Sequence, residues 1–433
     1  MNILIISEYI APKQTIGSIR WTKISKYLKK NHQVNIDVIT TKNLEWKVDK
    51  LLLDDCKKFD SYYEFDKAWI SKVLDRYINQ KKNRAKSNPA STSFSLQEGS
   101  TYEPDSIKHR LRVFLQESGM RATAKKAVKL YKKNKKKYDI IISSYGPIWC
   151  HLAARQIGET DNNLYWLADF RDVYAGNKYE SERDYNRHKK FVSQYLKNAN
   201  IISKVAPDQA LYENESQKII VLPNGFDSEE SITAFAPESF SFVYTGTLYE
   251  AETDLTPFFS ALSELAENNR IDLDDVVIEY AGGSAEQFDQ QIKDSGIKAK
   301  IINYGLLPRD KALELQQKCA VLMQASSYYD KFKPLWTGKM FEYMMMKKPI
   351  VYSLNTTEHS RIADEMHHIG GVVYESCCPE SMEDLKDYIC SKYNQWKETG
   401  NVSIEQDEDY VASFSYEHIA ELVWKLINNQ LEG

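Results

Sequence analysis

Two doubly wound α/β domains in series are the fold class that this 433-residue sequence predicts. Three observations carry that prediction. The chain is too long for one ordinary core, so a division into two domains is the default. Short apolar runs that read as buried parallel strands recur along it, with leucines, isoleucines and alanines at helical spacing between them. An apolar strand running into a glycine-bearing turn opens each half, first over 3–18 and again over 242–247.

Ile3 to Ser7 is the first strand. After the loop Glu8 to Ser18, a helix carrying Ile19, Trp21, Ile24, Tyr27 and Leu28 leads to the strand Val34 to Thr40, which completes a βαβ opening. Gly17-Ser18 lies at that helix start, where the first βα turn of a doubly wound domain meets its ligand, with a plain helix cap as the alternative. No G-x-G-x-x-G is present, which argues against a dinucleotide cofactor. Residues 77–105 are polar, Ser-rich and Pro-containing and are expected to form a mobile surface loop. Leu111, Phe114, Leu115 and Val128 then fall at helical spacing among Lys108, Arg110, Arg112, Arg121, Lys125, Lys126 and Lys129, ahead of the basic run Lys132 to Lys137. Such a helix suits an anionic bilayer surface, and equally a core helix with a solvated basic face. Aromatic residues do not interleave the basic run, so nucleic acid is not an expected partner.

Asp139 to Ser144 is another buried strand, broken by Tyr145-Gly146-Pro147 before a helix holding His151, which reads as a satisfied helix histidine. Tyr165 to Ala168 runs directly into Asp169-Phe170-Arg171-Asp172. Charges at the C-terminal end of a parallel strand face the ligand crevice of an α/β domain; an Arg171–Asp172 surface pair is the alternative. Ile219 to Leu222 is a short strand, Pro223-Asn224-Gly225-Phe226-Asp227 a turn, and 228–240 an interdomain linker. The second series comprises Phe242 to Thr247, Val276 to Ala281 ending in Gly282-Gly283, Ile301 to Tyr304 ending in Gly305, Ala320 to Gln324, and Ile350 to Ser353. Asp272-Leu273-Asp274 is formally a D-x-D, but it precedes its strand and reads as a solvated loop rather than a metal site. The tail from 413, with Tyr416, Ile419, Leu422, Val423 and Leu426, is an amphipathic helix capped by a serine.

With 42% hydrophobic and 27% charged residues, the composition is that of a soluble globular protein. Six scattered cysteines lack C-x-x-C spacing, so neither a zinc site nor a disulfide framework is indicated, and the expected location is cytoplasmic. The N-terminal apolar run is too short for a membrane span or a signal h-region and reads as a strand. The charge is split: 1–222 holds 40 Lys and Arg against 25 Asp and Glu, while 223–433 holds 17 against 36. A basic first half points to an anionic contact, the inner face of a membrane among the choices.

The stretch Lys333 to Ser353 looks like a helix whose positive end opens on a cleft. Thr337 is a good N-cap, Gly338 permits close backbone approach, and Lys339 adds a full charge to the partial charge of unpaired N–H groups, which together make an anion site. Met340, Phe341, Met344 and Met345 give the segment an apolar body, and Pro349 is expected to stop it. Glu342 is an acid one turn into a helix otherwise built for burial.

The order of Pro223-Asn-Gly-Phe-Asp227, Tyr244-Thr-Gly-Thr247, Gly338-Lys-Met-Phe-Glu-Tyr343 and Pro349-Ile-Val351 resembles the retaining glycosyltransferases of family 4, whose architecture is GT-B: two Rossmann-like domains facing a cleft. Asp169-Phe-Arg-Asp172, with the helix start at Thr337, is similar to the branch found in bacterial surface-polysaccharide pathways. The resemblance implies an N-terminal acceptor-side domain over 1–222, a donor domain over 223–412 and a terminal helix over 413–433 that crosses back to the first domain. By the same resemblance Glu342 matches the second acid of an E-x7-E pattern, which holds the nucleotide ribose. Lys339 and the N–H groups after Thr337, including those of Gly338 and Met340, hold the diphosphate with Gly246 and Thr247. Gly282 and Arg309 lie along the base and phosphate pocket, and Gly17 lies near the leaving diphosphate. Asp169 stands where relatives place a His-Asp pair against the transferred sugar, with Arg171 and Asp172 extending that edge.

The implied activity is transfer of a sugar from a nucleoside-diphosphate sugar to a glycan or lipid-linked saccharide, without a metal or other cofactor. Two departures stand out. The first acid of the E-x7-E pattern is replaced by Pro334, and Tyr249-Glu-Ala-Glu252 puts acids where relatives carry a basic pair. A nucleotide-sugar epimerase of the same architecture and a non-catalytic nucleotide-sugar or glycan-binding subunit are the competing readings.

Overall fold

The computed structural model describes residues 1–42, 47–74, 76, 107–161, 163–171, 182–207, 218–230, 235–249, 252–327 and 338–431. Two compact units make up the chain: unit 1 is Met1–Asp227 with Ser415–Gly433, and unit 2 is Ser228–Phe414.

Unit 1 runs β1 (Asn2–Ile6), α1 (Ile16–Asn31), β2 (Asn35–Thr41), α2 (Lys50–Cys56), β3 (Ser61–Phe65), α3 (Ile107–Asn134), β4 (Ile140–Ser144), α4 (Trp149–Gly158), β5 (Tyr165–Phe170), α5 (Glu182–Tyr195), β6 (Ile201–Lys204) and β7 (Lys218–Val221). Among the described residues these strands form one parallel sheet in the order β3-β2-β1-β4-β5-β6-β7. The order reverses at β1, the switch point beside which such sheets bind ligands. Its central strands are continuous apolar runs because both faces are covered. On one face Leu4, Ile6, Ile141, Trp166 and Ala168 pack against Ala124, Ala127 and Trp149 of α3 and α4. On the other Ile3, Ile5, Ile140 and Leu167 meet Trp21, Ile24 and Leu28 of α1.

Unit 2 repeats the plan with β8 (Phe240–Thr245), α6 (Thr256–Glu267), β9 (Val276–Ala281), α7 (Ala285–Ser295), β10 (Lys300–Asn303), α8 (Arg309–Lys318), β11 (Val321–Ser327), α9 (Gly338–Met346), β12 (Ile350–Asn355), α10 (Arg361–Met366), β13 (Gly371–Glu375), α11 (Ser381–Thr399) and α12 (Glu408–Ala412). Its described strands are parallel in the order β10-β9-β8-β11-β12-β13. Phe240, Phe242, Tyr244, Ile278, Tyr280 and Met323 join Phe258, Phe259 and Leu262 of α6 and Leu385 and Ile389 of α11 in one core. The predicted fold class, two doubly wound parallel-sheet domains, is the fold observed.

The divisions fall at Asp227/Ser228 and Phe414/Ser415 rather than at 222/223 and 412/413. The reason is ionic at one end: Lys23 and Lys26 hold the Asp227 carboxylate at 2.6 and 2.8 Å, and the Tyr27 hydroxyl donates to it at 2.5 Å. At the other end the Tyr416 N–H donates to the Phe226 carbonyl at 2.8 Å. The last helix, α13 (Tyr416–Leu431), buries Ile419, Ala420, Val423 and Ile427 in the core of unit 1 with α1. Its serine cap is Ser415, whose hydroxyl accepts from the His418 N–H at 3.1 Å, while the Ser413 hydroxyl donates to the Tyr410 carbonyl. The loop expected over 77–105 lies outside the described residues. No described helix is long and apolar enough to cross a membrane.

Candidate functional site

In unit 2 the C-terminal ends of three neighbouring strands finish in glycine turns that bond to one another. The Gly246 N–H after β8 donates to the Ala281 carbonyl at 2.7 Å, and the Gly282 N–H after β9 donates to the Gly305 carbonyl at 2.8 Å. A Cβ on Gly282 would stand 1.9 Å from the Gly246 carbonyl oxygen, so only glycine lets the two turns approach. The Tyr280 hydroxyl donates to the same oxygen at 2.9 Å. Gly246 has φ +117°, and a Cβ there would meet the Lys339 Cε at 2.7 Å. The C-terminal end of these strands is thus glycine backbone braced by the Tyr280 hydroxyl, with Lys339 lying across the Gly246 turn.

That lysine is the second residue of α9. Its Nζ donates to the Tyr244 hydroxyl at 2.5 Å and lies 3.9 Å from the Tyr244 ring centroid. Burial pulls the Lys339 pKa down to about 7, with the Glu342 charge opposing. A lysine held close to neutrality beside a helix N-terminus gains most from an incoming anion, because the ligand restores the charge that burial disfavours. Met340 is wholly buried, so only its backbone is left for a ligand; Phe341 and Met344 are buried as the sequence pattern requires, while Met345 of that pattern is only partly buried and Tyr343 and Met346 are buried as well. The helix ends at Met346, with Lys347 at φ 51°, ahead of Pro349 rather than at it. Thr337, Pro334 and Glu250 lie outside the described residues.

Glu342 is half-buried one turn along α9, and burial raises its pKa, with Arg309 opposing. Arg309, the first residue of α8, directs Nε to Glu342 at 3.4 Å and its two terminal nitrogens to Glu230 at 3.3 and 3.1 Å. Thr247 is exposed, and its carbonyl accepts from the Tyr244 hydroxyl at 3.2 Å. The structure therefore brings Gly246, Gly282 and Lys339 together, and pairs Arg309 with Glu342. Tyr244 and Glu230 are the members that sequence reasoning missed. Tyr244 sits inside the Tyr-Thr-Gly-Thr run, where it reads as one more strand aromatic; Glu230 lies in a stretch that reads as linker.

In unit 1 the strand ends are arranged differently. Asp169, the fifth residue of β5, is 0% exposed. It accepts from Arg20 Nη2 at 2.9 Å and Nε at 3.3 Å, Trp21 Nε1 at 2.7 Å, Ser144 Oγ at 3.0 Å and Ser203 Oγ at 2.8 Å. The register explains the two serines, which are its lateral neighbours on β4 and β6. Burial by itself would raise the Asp169 pKa; Arg20 and these donors outweigh it and hold the carboxyl below its usual range. With its oxygens committed to protein donors, Asp169 does not present the open carboxylate that the sequence led one to expect against a sugar. Arg20 also donates to the carbonyls of Leu222 and Pro223 and to Asn224 Oδ1, which fixes the turn at 223–227.

Arg171, one residue past β5, donates from Nε to the Tyr145 carbonyl at 2.8 Å and stacks 4.8 Å from the Tyr9 ring centroid. Cβ atoms on Gly17 and Gly146 would come within 2.0 and 2.6 Å of its guanidinium, so these glycines make the bed on which it lies. Gly17 is thus the second residue of α1 and directly under Arg171. Asp172 lies outside the described residues. His151 packs beside Phe170, its Nδ1 2.7 Å from the Ser143 hydroxyl, and burial lowers its pKa to about 3. Its Nε2 has no described partner.

No protein-family model matches the sequence, and no curated protein sequence matches it. Solved structures match along the whole chain. Sucrose-phosphate synthase from Thermosynechococcus elongatus aligns with a TM-score of 0.59 at 12% identity over 100% of this chain and 99% of that one. The crystal structure of TarM gives 0.57 at 12% over 99% and 98%, and the pneumococcal O-GlcNAc transferase GtfA, in complex with UDP and GlcNAc, gives 0.54 at 12% over 100% and 99%. At such identities the likeness is one of fold: both units together have the GT-B architecture of these glycosyltransferases.

Proposed function

We propose that the protein is a retaining glycosyltransferase of the family 4 kind, which moves a sugar from a nucleoside-diphosphate sugar to a hydroxyl of a glycan or lipid-linked saccharide in bacterial polysaccharide synthesis. The observation that carries the reading is Lys339 lying across the Gly246 turn at the start of α9. Lys339, with the first N–H groups of α9, receives the diphosphate; Glu342 accepts hydrogen bonds from the ribose hydroxyls; Gly282 lets the nucleotide lie against backbone. The bond between the anomeric carbon and the diphosphate breaks, the acceptor oxygen bonds to that carbon on the same face, and the departing diphosphate takes the acceptor's proton. No protein nucleophile is needed, so the enzyme's work is electrostatic support of the leaving group. A charge-assisted hydrogen bond contributes about 1.5–3 kcal/mol, against up to about 2 for a helix end, so Lys339 and the α9 N-terminus are comparable partners. With cations of its own at Lys339 and Arg309, the reaction calls for no metal, and a chelator is expected to leave turnover unchanged. In unit 1, Arg171 on its glycine bed is the acceptor-side cation and Asp169 a positioning residue.

The test is product analysis of the purified chain with UDP-, ADP-, GDP- and dTDP-sugars. Transfer to lipid-linked glycans from its host, with the anomeric configuration of the donor kept, supports the reading. An epimer formed from donor alone would replace it with sugar isomerisation, and nucleotide binding without transfer to any acceptor would make the chain a binding subunit.

A further inference from the structure

Glu230 faces the Arg309 guanidinium. The contact is fork to fork, 3.3 Å from Nη1 to Oε1 and 3.1 Å from Nη2 to Oε2, while the remaining Nε turns to Glu342 at 3.4 Å. The side chains of Arg309, Glu230 and Glu342 are 20%, 17% and 27% exposed, so water screens them only in part. Arg309 therefore contacts both carboxylates. Burial raises the Glu342 pKa; the Arg309 charge opposes that rise and the Glu230 charge adds to it, so Glu342 feels both members of the pair.

A diphosphate presents to a guanidinium what a carboxylate does, paired anionic oxygens at hydrogen-bond distance, and one fork cannot bind both fully. We propose that Glu230 is an internal counter-ion of the donor site, which occupies Arg309 in the ligand-free protein and is displaced by the diphosphate of the donor. The inference rests on the donor-site reading above. It makes Glu230 a brake on affinity: ligands that bring a diphosphate overcome it, and ligands without one leave it in place. A residue that merely supported Arg309 throughout would act in the opposite direction, since its loss would weaken binding.

The experiment is calorimetric titration of the full-length wild type, E230Q, E230A, R309A and the E230Q/R309A double variant with UDP, ADP and GDP, with circular dichroism confirming that each variant is folded. E230Q keeps the size of the side chain and one acceptor oxygen, and removes its charge. For a diphosphate that binds, E230Q and E230A are expected to tighten the Kd roughly threefold to tenfold, the scale of one partly screened charge contact, and the E230Q/R309A double variant to lose that gain. Equal or weaker binding by both Glu230 variants, with the wild type binding, overturns the counter-ion role and leaves the donor site standing. Failure of every diphosphate to bind any of the five proteins overturns both.

Discussion

Lys339 concentrates the electrostatics of unit 2 in one titrating group. Its pKa of about 7 lies below the ordinary lysine value because burial disfavours the ammonium. An anion that binds the ammonium raises that pKa, so above about pH 7 binding takes up a proton, and donor affinity, full below that pH, falls by up to tenfold per unit as pH rises. The expected result is a donor KM that rises between about pH 6.5 and about pH 8.5 in the wild type and stays flat and high in Lys339→Ala. Asp169 makes the contrasting residue-scale prediction. A buried carboxylate that accepts five hydrogen bonds, two of them from Arg20, belongs to the fold, so Asp169→Ala should cost about 3–5 kcal/mol in denaturant unfolding. A variant of wild-type stability with lost turnover would return Asp169 to the chemistry. Because the folded-state pKa of Asp169 and of Asp227 lies below the unfolded value, their contribution to unit 1 is present above about pH 4 and lost as pH falls. The chain order shows Asp169 at a strand end, but nothing local reveals that Arg20, Ser144 and Ser203 converge on it; that follows from β4, β5 and β6 lying side by side.

At the scale of elements, the helix α1 shows how far periodicity reads. Trp21, Ile24, Tyr27 and Leu28 are buried as their spacing requires, yet Arg20, Lys23 and Lys26 are buried too, because the turn at 223–227 and α13 cover what would otherwise be the solvent face. A 3.6-residue period sees one apolar stripe and cannot see a second cover. The strands that the sequence did not disclose share a different reason. β3 and β13 are edge strands, half-buried and carrying Glu64 or Glu375, and β6 is short and ends in Lys204, so none offers the long apolar run that marks β1 or β4. The glycine turns were legible as punctuation, but their mutual bonding was not. Gly282→Ala must push a methyl to within 1.9 Å of the Gly246 oxygen. We expect it to lower the thermal midpoint and the affinity for nucleotide together, whereas Gly283→Ala, where a methyl meets nothing within 4 Å, should leave both near wild type. Equal behaviour of the two variants would remove the glycine turns from the account.

For the whole molecule, the pair of doubly wound domains was the most legible feature, since two strand-and-turn openings announce two parallel sheets; the GT-B plan was implied by the motif resemblance. The charge split belongs to this scale as well: the excess of 40 basic over 25 acidic residues before 223 is joined in α3 by exposed Leu111 and Phe114. We propose a peripheral contact of this half with the inner face of the cytoplasmic membrane. Co-sedimentation with vesicles rich in phosphatidylglycerol that falls as salt is raised is the expected result, and absence of binding at low salt would remove it. Everything functional rests on reception of a diphosphate at the start of α9. The direct measurement is calorimetric titration of the full chain with UDP, ADP and GDP, wild type against Lys339→Ala. Saturable binding of at least one diphosphate by the wild type, weakened about tenfold or more in the variant, is predicted. A variant that binds as the wild type does, or a wild type that binds none of the three, contradicts the account.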